Sequence, residues 1–255
     1  LKTENLRNHF TFKDPGNGLK TNSFVTFLKT SGGTVYAGSI SGLYRFNREG
    51  KSFSLLENVV PDGFIHALYE DTNGIIWIGT YGRGLYRYDA NSGICEQVLT
   101  ASDDYGNMEN DYITSIYEDK DHNIWFTTEG SGFSYVSAGT GAITSFIPGR
   151  DVEFAIYCAI LQDSQGQIWI TSTRGLLRYD PVSGKFAVYT RNQGLLGNAF
   201  SYNSAYQDKN GRIYFGMVNG LLAFNPAEIK ENTYNPHVYF TDLLINGKEY
   251  PGKSA

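Results

Sequence analysis

The chain has 255 residues, 41% hydrophobic and 18% charged, with a net charge of −5. That is enough apolar material for a packed core and too little charge for a self-repelling disordered chain. Lys and Arg are scattered rather than gathered in a stripe, which argues against a nucleic-acid partner, and no apolar run approaches the roughly 18 residues of a membrane-spanning helix.

The opening Leu1-Lys2-Thr3-Glu4-Asn5 has no signal-peptide pattern and no initiator Met, so the chain reads as a mature protein or a piece of a longer one. Phe10-Thr11-Phe12 reads as a strand, either the outermost of a preceding unit or the one that closes the last unit. From about Asn22 the chain repeats itself. A short apolar strand with an aromatic anchor recurs at Tyr36, Trp77, Trp125, Trp169 and Tyr214, in steps of 41, 48, 44 and 45 residues. All three tryptophans of the chain stand in this one column.

Other columns keep the same register. Six residues before the anchor stand Asp71, Asp119, Asp163 and Asp208, with Thr30 in the first copy. Ten before it stand the small residues Thr26, Ala67, Ser115, Ala159 and Ser204. After the anchor come Gly42-Leu43, Gly84-Leu85, Gly132-Phe133, Gly175-Leu176 and Gly220-Leu221. In the second copy the pattern predicts strands over 64–70, 75–80, 84–89 and about 94–99. Each run is rich in β-branched and aromatic residues and bounded by Gly, Asn or Asp. The Asp-x-x-Gly step predicts a tight turn, with the carboxylate capping downstream N–H groups and Gly supplying φ > 0.

Four short strands per repeat of about 40–45 residues predict an all-β propeller, with five blades in residues 1–232. The helical periodicity that an ankyrin or tetratricopeptide array needs is absent. The small-residue column predicts crowding where inner strands converge on the axis. Cys95 and Cys158 lie far apart without CxxC spacing and read better as two buried thiols than as a disulfide.

Asp71-Thr72-Asn73-Gly74-Ile75-Ile76-Trp77-Ile78-Gly79-Thr80, followed by Arg83-Gly84-Leu85-Tyr86-Arg87-Tyr88-Asp89, resembles the regulator propeller repeat of two-component sensors. The linkers Asn17–Asn22 and Asn192–Asn198 resemble the Gly-Leu-x-x-Asn segment that leads into each blade of that family. Residues 233–255, with Asn235-Pro236-His237-Val238-Tyr239-Phe240, resemble the start of its tyrosine-rich Ig-like domain.

The resemblance implies the periplasmic sensor region of a hybrid histidine kinase that binds an oligosaccharide and self-associates as a dimer. It implies a membrane span, kinase and regulator domains lying outside these residues, so the chain is expected to be a fragment. Five blades are also fewer than the seven usual in such propellers.

No catalytic constellation emerges, and no cofactor or metal is expected. Metal-ligand spacings and a G-x-S-x-G elbow are missing, and Gly79–Gly84 lacks the Gly-Lys-Ser/Thr of a phosphate loop. His122 reads as a turn residue. His66, on an inner strand, reads either as a satisfied strand histidine or as a residue lining the axis. The aspartate column reads as turn caps rather than as paired catalytic carboxylates.

Binding residues are expected on the face that carries the strand-two to strand-three hairpins and the loops entering each blade, because the copies diverge there. Tyr81, Arg83, Glu129 and Arg174 are the hairpin candidates, since they stand where other copies have small residues. Asp111 and Tyr112 come from an entering loop, alongside Asn22, Asp62, Asn110, Asn198 and Tyr202. An aromatic plate beside Arg, Asn and carboxylates suits a sugar.

Two other functions stay open. Asn123-Ile124-Trp125-Phe126-Thr127-Thr128-Glu129 is similar to repeats of streptogramin B lyases, which use histidine and magnesium at the axis, where only His66 is placed to serve. A protein-interaction scaffold is the other, since end blades leave apolar faces exposed.

Overall fold

The computed structural model describes residues 21, 23–49, 52–61, 63–99, 112–146, 156–229, 244–245 and 248–249. Each repeat forms one antiparallel sheet with its strands in sequence order. Blade 1 comprises β1 (Phe24–Lys29), β2 (Val35–Ser39), β3 (Gly42–Asn47) and β4 (Ser52–Leu55). Blade 2 comprises β5 (Ile65–Glu70), β6 (Ile76–Thr80), β7 (Leu85–Asp89) and β8 (Ile94–Leu99). Blade 3 comprises β9 (Ile113–Glu118), β10 (Ile124–Thr128), β11 (Phe133–Val136) and β12 (Ile143–Phe146). Blade 4 comprises β13 (Tyr157–Gln162), β14 (Ile168–Ser172), β15 (Gly175–Asp180) and β16 (Lys185–Tyr189).

Blade 5 has three strands among the described residues, β17 (Phe200–Gln207), β18 (Ile213–Met217) and β19 (Gly220–Phe224). A detached pair, β20 (Leu244–Ile245) and β21 (Lys248–Glu249), falls in the tail. The chain is a β-propeller segment, and the second-copy strands agree with expectation to within one residue. Phe10–Phe12 and most of 233–255 lie outside the described residues.

The aspartate column does more than cap a turn. In blade 2, Asp71 Oδ1 accepts from the backbone N–H groups of Asn73 and Ile75, both at 2.9 Å. Its other oxygen accepts from the indole Nε1 of the buried Trp77 at 2.9 Å. Asp119 and Asp163 repeat the arrangement, with Trp125 and Trp169 each at 2.7 Å. One carboxylate thus satisfies a turn and the sole polar atom of a buried indole, which would otherwise carry a desolvation penalty of about 1–3 kcal/mol. The turn residue needing positive φ is Gly74 at 78° and Gly166 at 84°, and His122 occupies that place in blade 3 at 63°.

Each tryptophan anchor faces the following blade. Trp77 packs with Ile116, Ile124 and Phe126 of blade 3, Trp125 with Ile160, Ile168 and Ile170 of blade 4, and Trp169 with Ile213 and Phe215 of blade 5. Burying one such side chain contributes on the order of 1.5–3 kcal/mol. The glycine paired with Ala67 of the small-residue column serves this contact: a Cβ on Gly79 would lie 2.7 Å from Ile113 Cγ2 of the next blade's inner strand and 3.2 Å from Ala67 Cβ.

A polar latch accompanies the packing. Glu118, at the end of β9, reaches back to blade 2 and accepts from Thr72 N at 2.8 Å and Thr72 Oγ1 at 2.7 Å. Glu70 makes the same pair of bonds to Ser31 of blade 1, and Gln162 Oε1 accepts from Lys120 N of blade 3 at 2.9 Å. His122 Nδ1 also meets Glu118 Oε1 at 2.8 Å, so this turn residue has an added role. Both cysteines are free, Cys158 buried and Cys95 half-buried.

Candidate functional site

The hairpin tips are pinned to the entering loops by one recurrent backbone bond. The residue at or just past the end of each second strand donates its N–H to the carbonyl leading into that blade. Tyr81 bonds Phe64 at 2.9 Å, Glu129 bonds Tyr112 at 3.1 Å, Thr173 bonds Ile156 at 2.9 Å and Val218 bonds Ala199 at 3.2 Å. The scaffold repeats while the side chains differ, and among the described residues blades 2 and 3 bring rings and a carboxylate together here.

The result is a cluster across blades 2, 3 and 5. Tyr81 of blade 2 stacks on Tyr112 of blade 3, with centroids 3.9 Å apart and planes 7° apart. Phe64 lies 5.4 Å from Tyr81 and 6.2 Å from His66. Tyr202, reaching in from blade 5, meets the His66 ring edge-on at 5.1 Å and donates its hydroxyl to Glu129 Oε1. Pairing of β17 with β18 is irregular between Phe200 and Ala205, and Asn203 has a φ of 45°. This distortion turns Tyr202 towards the axis.

The electrostatics follow the packing. Burial lowers the His66 pKa below its ordinary value, partly opposed by a backbone hydrogen bond with Thr114 and by the charge of Glu129. His66 Nδ1 is buried with no hydrogen-bond partner among the described residues. Burial raises the Tyr202 hydroxyl, and its bond to the Glu129 carboxylate raises it further. The Glu129 charge also raises Tyr81. Burial pushes the neighbouring Cys158 thiol up to about 12, so it stays protonated and is not an activated nucleophile.

Tyr81, Glu129, Tyr112 and His66 come together, then, while two other expected residues stand apart. Arg83 turns outward, its Nη1 donating to the Pro61 carbonyl at 3.1 Å. Arg174 is exposed at the blade 4 hairpin, its backbone N bonded to Ser172 Oγ at 3.1 Å. Asp111 lies outside the described residues. Tyr202, expected as one of the entering-loop residues, joins the cluster through the kink in β17, which its column position does not disclose.

Beyond this cluster, Ser115 Oγ meets Asn203 Oδ1 across the axis at 3.4 Å. An axial cavity of about 370 Å³ is walled by Tyr69, Tyr117, Tyr206 and Gln207 together with these two residues. A larger cavity, about 570 Å³, lies elsewhere, on the opposite face between blades 2 and 3. None of the expected binding residues lines it.

Comparison with known proteins agrees with the architecture. The two component regulator propeller family matches residues 60–82, 107–130 and 155–174, each covering the inner strand, Asp turn and anchor strand of one blade. Histidine kinase P4 of Formosa agariphila is 28% identical over 220 residues, which are 83% of this chain and 16% of that protein. The chain therefore spans about one-sixth of that relative's length.

Among solved structures, the extracellular domain assigned to a hybrid two component system of B. thetaiotaomicron superposes with a TM-score of 0.60 at 22% identity, over 82% of this chain and 34% of that one. Virginiamycin B lyase from Staphylococcus aureus also gives 0.60, at 16% identity over 80% of this chain and 70% of the lyase. At these identities the likeness establishes the propeller fold that sensors and lyases share.

Proposed function

We propose that this chain, a run of two-component regulator propeller repeats, is a ligand-binding part of the extracytoplasmic sensory region of a longer histidine kinase. The ligand is an oligosaccharide held on the hairpin face. The observation that carries this reading is the Tyr81–Tyr112 plate beside Glu129 and the unpartnered His66 nitrogen. A stacked pair of rings offers a flat apolar surface to the C–H face of a sugar, and a carboxylate accepts its hydroxyl protons in charge-assisted bonds. A buried imidazole nitrogen without a partner gains from any hydroxyl that reaches it.

Binding signals only if the ligand prefers one of two arrangements of the protein. The contact of Tyr202 with Glu129 and His66 ties blade 5 to blades 2 and 3. A sugar engaging Glu129 competes with that tie and loosens blade 5 and the tail beyond it. The kinase, the membrane span and the dimer of the parent protein belong to this reading as well. The lyase reading shares the fold and an axial histidine, but the His66 neighbours are rings and one carboxylate.

The test is calorimetry and thermal shift of this chain with a panel of glycan-derived oligosaccharides. A ligand at 100 times its Kd adds about 2.7 kcal/mol of stability, and Tyr81→Ala with Tyr112→Ala should abolish the shift. Failure of every sugar to shift the protein, or an undiminished shift in the double variant, rejects the site. Magnesium-dependent opening of a streptogramin B ring would favour the lyase reading.

A further inference from the structure

Four of the five blades carry an aromatic ring at one position of the third strand, and in blades 2, 4 and 5 that ring packs toward the blade before. The position is defined by pairing with the residue just before the anchor: Val35 with Phe46, Ile76 with Tyr88, Ile168 with Tyr179 and Ile213 with Phe224. In blade 3, Ile124 pairs with Val136. The rings fill the space over the preceding anchor. Tyr179 lies 6.1 Å from Trp125, Phe224 stands edge-on to Trp169 at 4.9 Å, and Tyr88 shares a core with Tyr36. At the matching third-strand position over Trp77 stands Val136 in place of a ring, followed by the small turn residues Ser137, Ala138 and Gly139.

The 570 Å³ groove opens at this missing ring. Its floor is apolar, formed by Ile75, Val136 and the edge of Trp77. Its rim is polar and drawn from both blades, with Arg87, Asp89 and Glu96 of blade 2 and His122, Ser137 and Thr140 of blade 3. Arg87 Nε donates to Glu96 Oε2 at 2.7 Å, and both side chains stay half-exposed, at 55% and 52%. No other blade with four described strands pairs a guanidinium with a carboxylate in this row, which holds Arg45 with Ser54, Tyr135 with Thr144 and Arg178 with Ala187.

We infer that this groove is a second binding site, for a single hexopyranose ring, separate from the hairpin-face cluster and resting only on the ligand class proposed there. The vacancy has the place of a six-membered ring against an indole. A pyranose fills it with its C–H face and meets the Arg87–Glu96 pair with adjacent hydroxyls, which a guanidinium and a carboxylate each bind in bidentate fashion. A bare aromatic ring would fill the floor and leave the rim unused.

The probes are methyl glucoside, methyl galactoside and methyl mannoside, titrated to about 100 mM to reach the weak affinities of a single ring, with p-cresol as the aromatic comparison. The readout is the Trp77 indole N–H resonance, assigned through Trp77→Phe. At least one pyranoside should move it while leaving Trp169 in place. Val136→Tyr should restore the ring seen in the other blades and abolish the shift, and Arg87→Ala should weaken it about tenfold, for loss of one charge-assisted contact. Tyr81→Ala should leave it intact, which separates this site from the hairpin face.

The inference is overturned if no pyranoside moves Trp77, if p-cresol alone does so, or if the shift survives Val136→Tyr. Arg87→Ala, at an exposed position, decides the matter where Val136→Tyr fails to fold: an unchanged shift overturns the inference.

Discussion

Replacing Asp163 by Asn isolates the bond that joins turn to core. Asp163 is 6% exposed; one oxygen accepts from Gln165 N at 2.9 Å and Gln167 N at 3.0 Å, and the other from Trp169 Nε1 at 2.7 Å. An amide has the same shape but one acceptor oxygen. If that oxygen faces the turn, the indole N–H meets an NH₂ donor; if it faces the indole, two turn N–H groups lose their acceptor. Either way at least one buried donor is orphaned, at about 1–3 kcal/mol, and the remaining bonds lose their charge assistance. The expected loss is about 3 kcal/mol, or roughly 6–12 °C in Tm for a chain of this size.

The same change at the half-buried Asp208, whose ring partner Tyr214 OH sits at 3.3 Å, should cost about 1 kcal/mol. Urea unfolding followed by circular dichroism measures both. A double-mutant cycle of Asp163→Asn with Trp169→Phe should show coupling of at least about 1 kcal/mol. Equal losses at the two aspartates, or coupling below about 0.5 kcal/mol, would refute the shared-carboxylate argument.

Glu118→Ala should cost about 2–3 kcal/mol, since a carboxylate only 7% exposed gives up two bonds to the preceding blade, whereas Glu70→Ala, at a half-buried residue whose bonds to Ser31 are exposed, should cost under about 1 kcal/mol; parallel thermal melts decide between them. His66 has a lowered pKa in the folded protein, so below about pH 6.5 the unfolded chain takes up a proton that the folded one resists. Stability should therefore fall as pH drops through that range and level off below the folded pKa. His66→Val, which installs the blade 1 residue Val25, should flatten the slope in denaturant titrations at pH 5 and 7, and an unchanged slope would place the proton elsewhere.

The propeller was legible because its signals are local and repeated. Asp and Gly set a four-residue turn, strand alternation has a period of two, and an anchor recurring in one column needs no knowledge of distant parts of the chain. The turn role of the aspartates followed from the same spacing. Their bond to the tryptophan six residues on did not, because it depends on how the strand after the turn folds back over it.

Of the expected binding residues, Tyr81, Glu129, Tyr112 and His66 gather because two loops of adjacent blades are pinned at one height. Arg83 turned away to the Pro61 carbonyl, a choice between two sides of one hairpin that residue type cannot foretell. The contacts of Tyr202, a residue the entering-loop pattern offers, and the groove over Trp77 belong to tertiary structure. The first needs the kink at Asn203, and the second needs blade 3 laid against blade 2 before the small side chain of Val136 becomes a cavity. Sequence determines what each blade is, through short-range backbone chemistry. What the blades form between them is decided by packing, where one missing ring or one twisted strand changes the surface a ligand meets.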